Sequence, residues 1–125
     1  MGMSRMVRFE HGEALYEDVA RLLAERGLAV RMRMIDGELA FPDETPPPHW
    51  QELRVGAKGA MVTLRRASGE IEVITWGSAD AAATTLWNAM AWACAAAAGG
   101  RVATDAGELD ADAFAQHVDL SEHFD

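Results

Sequence analysis

The chain has 125 residues, half of them hydrophobic and a quarter charged, the mix of one soluble domain long enough to bury a core without staples. Its formal net charge of −9 argues against a nucleic-acid partner, since phosphates need a basic surface. The single cysteine, Cys94, excludes an internal disulfide, and with an opening that lacks a signal-peptide apolar run it sets the expectation of a cytoplasmic protein.

The first predicted element is a helix over Gly12–Arg26. Leu15, Val19, Leu22 and Leu23 fall on one apolar stripe. Acids crowd its start, Arg21 and Arg26 come late, and Gly27 suits the position after its end. A hairpin follows. Val30, Met32 and Met34 alternate with Arg31 and Arg33, and Asp36-Gly37 is the dipeptide of a two-residue type I′ turn. That turn sets Met34 opposite Leu39 and Met32 opposite Phe41, both pairs on the apolar face.

The stretch PDETPPPHWQ forbids helix and reads as an ordered crossing loop. Its rigid prolines can present His49 and Trp50 at a sheet edge. Two roles are open. Trp50 can plug one end of the core, or His49, Trp50, Arg54 and Trp76 can form a lip that contacts a ligand or peptide.

Strands are predicted near Gln51–Val55, Ala60–Arg66 and Ile71–Trp76. With Ser68-Gly69 at the tip, Leu64 opposes Val73, Val62 opposes Thr75, Thr63 opposes Ile74 and Met61 opposes Trp76. Arg65 opposes Glu72 as a cross-strand ion pair. Arg31, Arg33, Arg54, Arg65 and Arg66, balanced by Glu38, Glu52, Glu70 and Glu72, read as a solvated sheet face rather than an anion site.

Next comes a helix over Ala79–Ala98, capped by Ser78 or Asp80 and closed by Gly99-Gly100. No charge occurs from Ala81 to Gly100. A membrane span is not expected, because alanine is nearly neutral for insertion and basic flanks are missing. Leu86, Trp87, Met90 and Cys94 share one arc and should lie on the sheet. Trp92 points elsewhere, with Thr85, Asn88 and Ala96 on its side, and these four are the interface candidates. The first helix, a second copy of the chain, or another partner must cover them. RVAT reads as a short edge strand and DADAFAQHV as a short helix capped by Asp110.

The expected fold is a single α+β domain over residues 1–125. It is a two-layer sandwich: an antiparallel five-stranded meander sheet, an N-terminal helix, a long Ala-rich C-terminal helix and a short terminal helix. Residues 102–125 carry seven acids and no Lys or Arg.

No Gly-rich phosphate loop, nucleophile elbow, paired zinc cysteines or HExxH is present. His117, Asp119, Glu122 and His123 cluster at a spacing that matches no metal motif. No catalytic residue, cofactor or metal is therefore expected. The helix–GG–short strand–Asp ending, the acidity and the size resemble small bacterial α+β proteins such as immunity proteins and secretion chaperones. The Trp92 face, the segregated acidic segment and the absence of catalytic signatures set the expectation of a non-enzymatic, homodimeric protein-binding module whose acidic segment attracts a basic partner. The alternative is a small-molecule-binding protein or enzyme, with a pocket between sheet and helices near His49, Trp50 and Trp76.

Overall fold

A computed structural model describes residues 2–77, 80–121 and 124. The elements run β1 (Met3–Arg8), α1 (Tyr16–Glu25), β2 (Arg31–Ile35), β3 (Glu38–Leu39), β4 (Glu52–Ala57), β5 (Ala60–Ala67), β6 (Glu70–Thr75), α2 (Ala81–Ala98), β7 (Arg101–Thr104), β8 (Gly107–Asp110) and α3 (Ala111–His117). The α+β class is as expected, but the single antiparallel sheet has eight strands rather than five. Their order is β3-β2-β4-β5-β6-β1-β7-β8.

The extra strands come from three places. The opening MSRMVR inserts as β1 between β6 and β7. RVAT is β7, a strand as expected but internal rather than at the edge, because GELD returns beside it as β8. No clean alternation announces β1, because Arg5 occupies a position on the same side as Val7.

One face of the sheet carries all the helices. Val7, Met32, Leu53, Val55, Val62, Leu64, Ile71, Val73 and Val102 point to that side. They merge with Val19 and Leu23 of α1, Leu86 and Met90 of α2, and Phe114 of α3 into one core. Each fully buried leucine there contributes on the order of 2 kcal/mol by leaving water.

Helix α2 lies centrally, and its charge-free run now has a cause. Residues Ala89 to Ala95 are all buried, so a charged side chain anywhere in that stretch would lose its water. The Asp80 carboxylate accepts the Ala83 N–H at its start, and Gly99 takes a left-handed φ of 63° at its end. Ser78, the other expected cap, lies outside the described residues. Helix α1 begins at Tyr16, four residues later than predicted, since Gly12 adopts a left-handed φ of 73° that no helix continues through. Gly27 ends it as expected.

Both hairpin tips are correct, with one correction. Asp36 and Gly37 have φ of 50° and 83°, and Met34 pairs with Leu39. A bulge between Met32 and Met34 then puts these two methionines on opposite faces. Met32 pairs with Val55 and is buried, whereas Met34 pairs with Arg54 and faces away from the helices. Leu39 goes with it. Phe41 does not join Met32 on a buried face: Met32 N–H donates instead to the Pro42 carbonyl, and Phe41 is exposed. In the second hairpin, Leu64–Val73, Thr63–Ile74 and Arg65–Glu72 pair as predicted. The ladder stops there, short of Val62–Thr75 and Met61–Trp76.

Candidate functional site

None of the described helices lies on the sheet's second face. Since Leu53 and Val55 point into the core, Glu52, Arg54 and Gly56 point out of it. The same alternation and the strand pairing bring Leu39, Met34, Arg54, Thr63, Ile74 and Ser4 into one row across six strands. Beside this row lie Arg31, which pairs with Gly56, and Met61, which pairs with the same glycine from the other side. Arg33 also lies here. A Cβ on Gly56 would stand 3.1 Å from its Nε, so the missing side chain makes room for the guanidinium.

Trp76 emerges at the end of β6, and its indole N–H donates to Thr63 Oγ1 at 2.9 Å. The ring therefore folds back against this face while remaining 52% exposed. Ile74, next to Thr63 in the ladder, is only 5% exposed although no helix covers its side. Met61 and Leu39 are exposed nearby. The Arg65 guanidinium sits 5.4 Å from the Trp76 ring centroid.

Charge on this face is uneven. Arg65 bonds Glu52 at 2.9 Å rather than its cross-strand partner Glu72, correcting the expected ion pair. Glu52 also lies 3.9 Å from Arg54, whose Nε is buried without a hydrogen bond among the described residues. Arg31, Arg33 and Glu72 make no ion pair with any described residue. Toward the far edge, Arg8 is held between Glu70 and Glu108, and these carboxylates push its pKa up. One side of the face thus sets Arg31, Arg33, Arg54 and Arg65 against Glu52 alone, and the β6–β8 side carries the excess of carboxylates.

The expected lip does not assemble. Trp50 is 3% exposed and belongs to the core. Arg66 clamps the loop around it: its guanidinium lies 4.3 Å from the ring centroid, Nε donates to the Trp50 carbonyl at 2.9 Å, and Nη2 donates to the Pro48 carbonyl at 2.6 Å. His49 is exposed on the loop. Arg54 and Trp76 occupy the helix-free face instead, so His49, Trp50 and Trp76 do not converge on one pocket.

The four α2 candidates are also separated. Trp92 is 5% exposed, covered within the chain by Arg26, 3.9 Å from its ring, and by Phe124, whose ring meets it edge-on at 6.2 Å. Asn88 is half-buried and its Oδ1 accepts from Arg5 Nε at 3.0 Å. Arg5 itself lies 4.2 Å from the Trp87 ring and 5.1 Å from that of Phe114, and burial there lowers its pKa. Thr85 and Ala96 are exposed near opposite ends of the helix.

A hollow of about 240 Å³ lies beside Thr85, lined by Leu28, Ala57, Lys58, Leu86 and Phe124. Its one cation, Lys58, donates to the Phe124 carbonyl at 2.6 Å. Among the described residues no group of His, Cys, Asp or Glu is placed to hold a metal; Glu122 and His123 lie outside them. Cys94 is fully buried, and burial pushes its thiol up to about 12, so it is no nucleophile in the folded chain. No described helix is long and apolar enough to cross a membrane.

The sequence signal for this face was present in the paired arginines of β2 and in Trp76, but the bulge that brings Met34 and Leu39 beside them was not. No family model, curated protein or solved structure matches the chain.

Proposed function

We propose that the chain is a non-enzymatic protein-binding module that works through its helix-free sheet face. The observation that carries this reading is the composition of that face. Exposed Trp76, Met61 and Leu39 stand among Arg31, Arg33 and Arg54, and aromatic, Met and Arg side chains are those enriched where proteins meet. Such a face needs no chemistry to act, and it suits the chaperone-like or immunity-like role that the size and acidity suggest. Among the described acids of the C-terminal segment, exposed Asp105, Asp112 and Asp119 would draw a basic partner and speed its approach.

The small-molecule reading has less support. The hollow near Lys58 lacks converging polar groups, since its cation is already bonded within the chain.

Capture from a cell lysate tests the proposal, with immobilised wild type, Trp76→Glu and Thr85→Trp compared. Loss of bound protein with Trp76→Glu alone supports the sheet face. Equal capture by the wild type and Trp76→Glu would remove it, and a loss confined to Thr85→Trp would transfer the function to the hollow.

A further inference from the structure

We infer that the occupant of the helix-free face is a second copy of the same chain, packed face to face about a twofold axis that runs along the strands between β5 and β6. This rests on the protein-binding reading above and names its partner. The argument is the arrangement of charge about the middle of the sheet. In the order β3-β2-β4-β5-β6-β1-β7-β8, the boundary between β5 and β6 divides the strands four and four. Arg31, Arg33, Arg54 and Arg65 lie on one side of it against one carboxylate, Glu52, whereas Glu70, Glu72, Glu108 and Asp110 lie on the other against Arg8 and Arg101, so the two halves carry opposite net charge.

A twofold axis parallel to the strands keeps each row level and exchanges the two halves. Arg65 then faces the partner's Glu72, which forms no ion pair with the described residues of its own chain. Continued two residues beyond Thr63–Ile74, the register sets Met61 level with the partner's Trp76, and Arg31 and Arg33 approach the tip between β7 and β8 of the partner, where the Asp105 side chain is 95% exposed. An axis perpendicular to the strands would instead stack β2 on β2 and set arginine against arginine, so charge chooses between the two symmetric packings. Isologous contact also puts Met61, Ile74 and Trp76 on the strands beside the axis, with Arg65 and Glu72 toward one end of them and Arg31, Arg33 and Arg54 farther out. The axis exchanges β5 with β6, β4 with β1 and β2 with β7, and these six strands, ~4.8 Å apart and up to ~20 Å long, present a face about 29 Å wide, which suits the low end of protein interfaces.

The test uses sedimentation equilibrium on the wild type, Arg65→Glu, Glu72→Arg and an equimolar mixture of the two variants. The wild type is expected to be a dimer at ~10 µM. Each variant alone sets like charges together twice across the axis, and its dissociation constant should rise at least ~10-fold. The mixture restores both contacts, so it should form a heterodimer close to wild-type affinity. That outcome does not arise from damage within one chain, and matching thermal melts check that each variant folds. A monomeric wild type at ~100 µM, or a mixture that stays monomeric while the wild type dimerises, overturns the inference. If the wild type is monomeric yet lysate capture still depends on Trp76, a different protein occupies the face and only the second-copy assignment falls. If capture is also insensitive to Trp76, both readings fall.

Discussion

Trp76 donates its indole N–H to the hydroxyl of Thr63 at 2.9 Å, and this one bond between neighbouring strands holds the ring against the side of the sheet that no helix covers. Thr63 is fully buried, so its hydroxyl depends on that partner. The contact links a local choice, threonine where valine would fit the strand equally well, to the presence of a large apolar surface at the centre of the helix-free face.

Thr63→Val keeps the shape and removes the acceptor. The urea midpoint should fall by the equivalent of ~1 kcal/mol without a change in slope. Association through the helix-free face should weaken as the ring loses its fixed position. A variant with unchanged midpoint and unchanged association would show that the bond does not hold the indole.

Trp50 belongs to the core, and Arg66 ties the proline-rich loop over it through two carbonyls and its ring. Trp50→Ala should therefore cost about 3–5 kcal/mol, the range for emptying a buried aromatic site. Arg66→Ala should cost less, because the side chain mainly fastens a loop whose plug remains. Equilibrium denaturation reads both. A Trp50→Ala protein as stable as the wild type would return the loop to the role of an exposed contact lip.

Trp92 sits under Arg26 and against Phe124. Replacement by glutamate places a charge in the layer between α1 and α2 and should unfold the domain rather than yield a soluble monomer. Arg26→Ala should cost only ~1 kcal/mol, the loss of a partly exposed cation–π contact. A folded, monomeric Trp92→Glu protein, seen by circular dichroism and light scattering, would show that Trp92 is an intermolecular contact after all.

Asp36 combines two roles at the first hairpin. It adopts a φ of 50° in the turn, and its Oδ1 accepts the N–H groups of Gln51 at 2.8 Å and Glu52 at 2.9 Å. Those two bonds hold its carboxyl below the usual value. The contribution is complete above the unfolded value of 3.8 and is lost as pH falls through the folded one. Asp36→Asn tolerates the left-handed turn and can still accept, so it should retain most of the stability; Asp36→Ala loses both and should cost about 1–2 kcal/mol. Equal midpoints for the two variants at pH 7 would contradict this.

Much of this architecture follows from short-range chemistry that the sequence displays. Asp36-Gly37 and Ser68-Gly69 fix two hairpins, and Gly99 ends α2, because each position has few conformational alternatives. What escapes is set by distant partners. Arg5 breaks the alternation of β1, and only Asn88, Trp87 and Phe114, far along the chain, make its position tolerable. The bulge at Arg33 reverses the facing of Met34 and Leu39, since one extra residue shifts a period of two. The candidate face was hidden for the same reason: its arginines were legible as a polar sheet side, but not the apolar side chains that the bulge and the Thr63 bond place among them.

Two buried groups make the fold sensitive to alkali. Burial pushes the Cys94 thiol from 9.0 to about 12, and the Tyr16 phenol from 10.0 to about 12. Below pH 9 both are protonated in the folded and unfolded chain, so neither alters the balance. Above it the unfolded chain releases the Cys94 proton while the folded chain keeps it. The folded state then binds more protons, and stability falls as pH rises, with Tyr16 adding to the loss above pH 10. Each group contributes a slope of ~1.4 kcal/mol per pH unit until its folded value is reached. Cys94→Ala should be less stable at neutral pH, through the small cavity, but its urea midpoint should stay level up to about pH 10. Parallel decline of the wild type and Cys94→Ala between pH 9 and pH 10 would show that another group drives the alkaline loss.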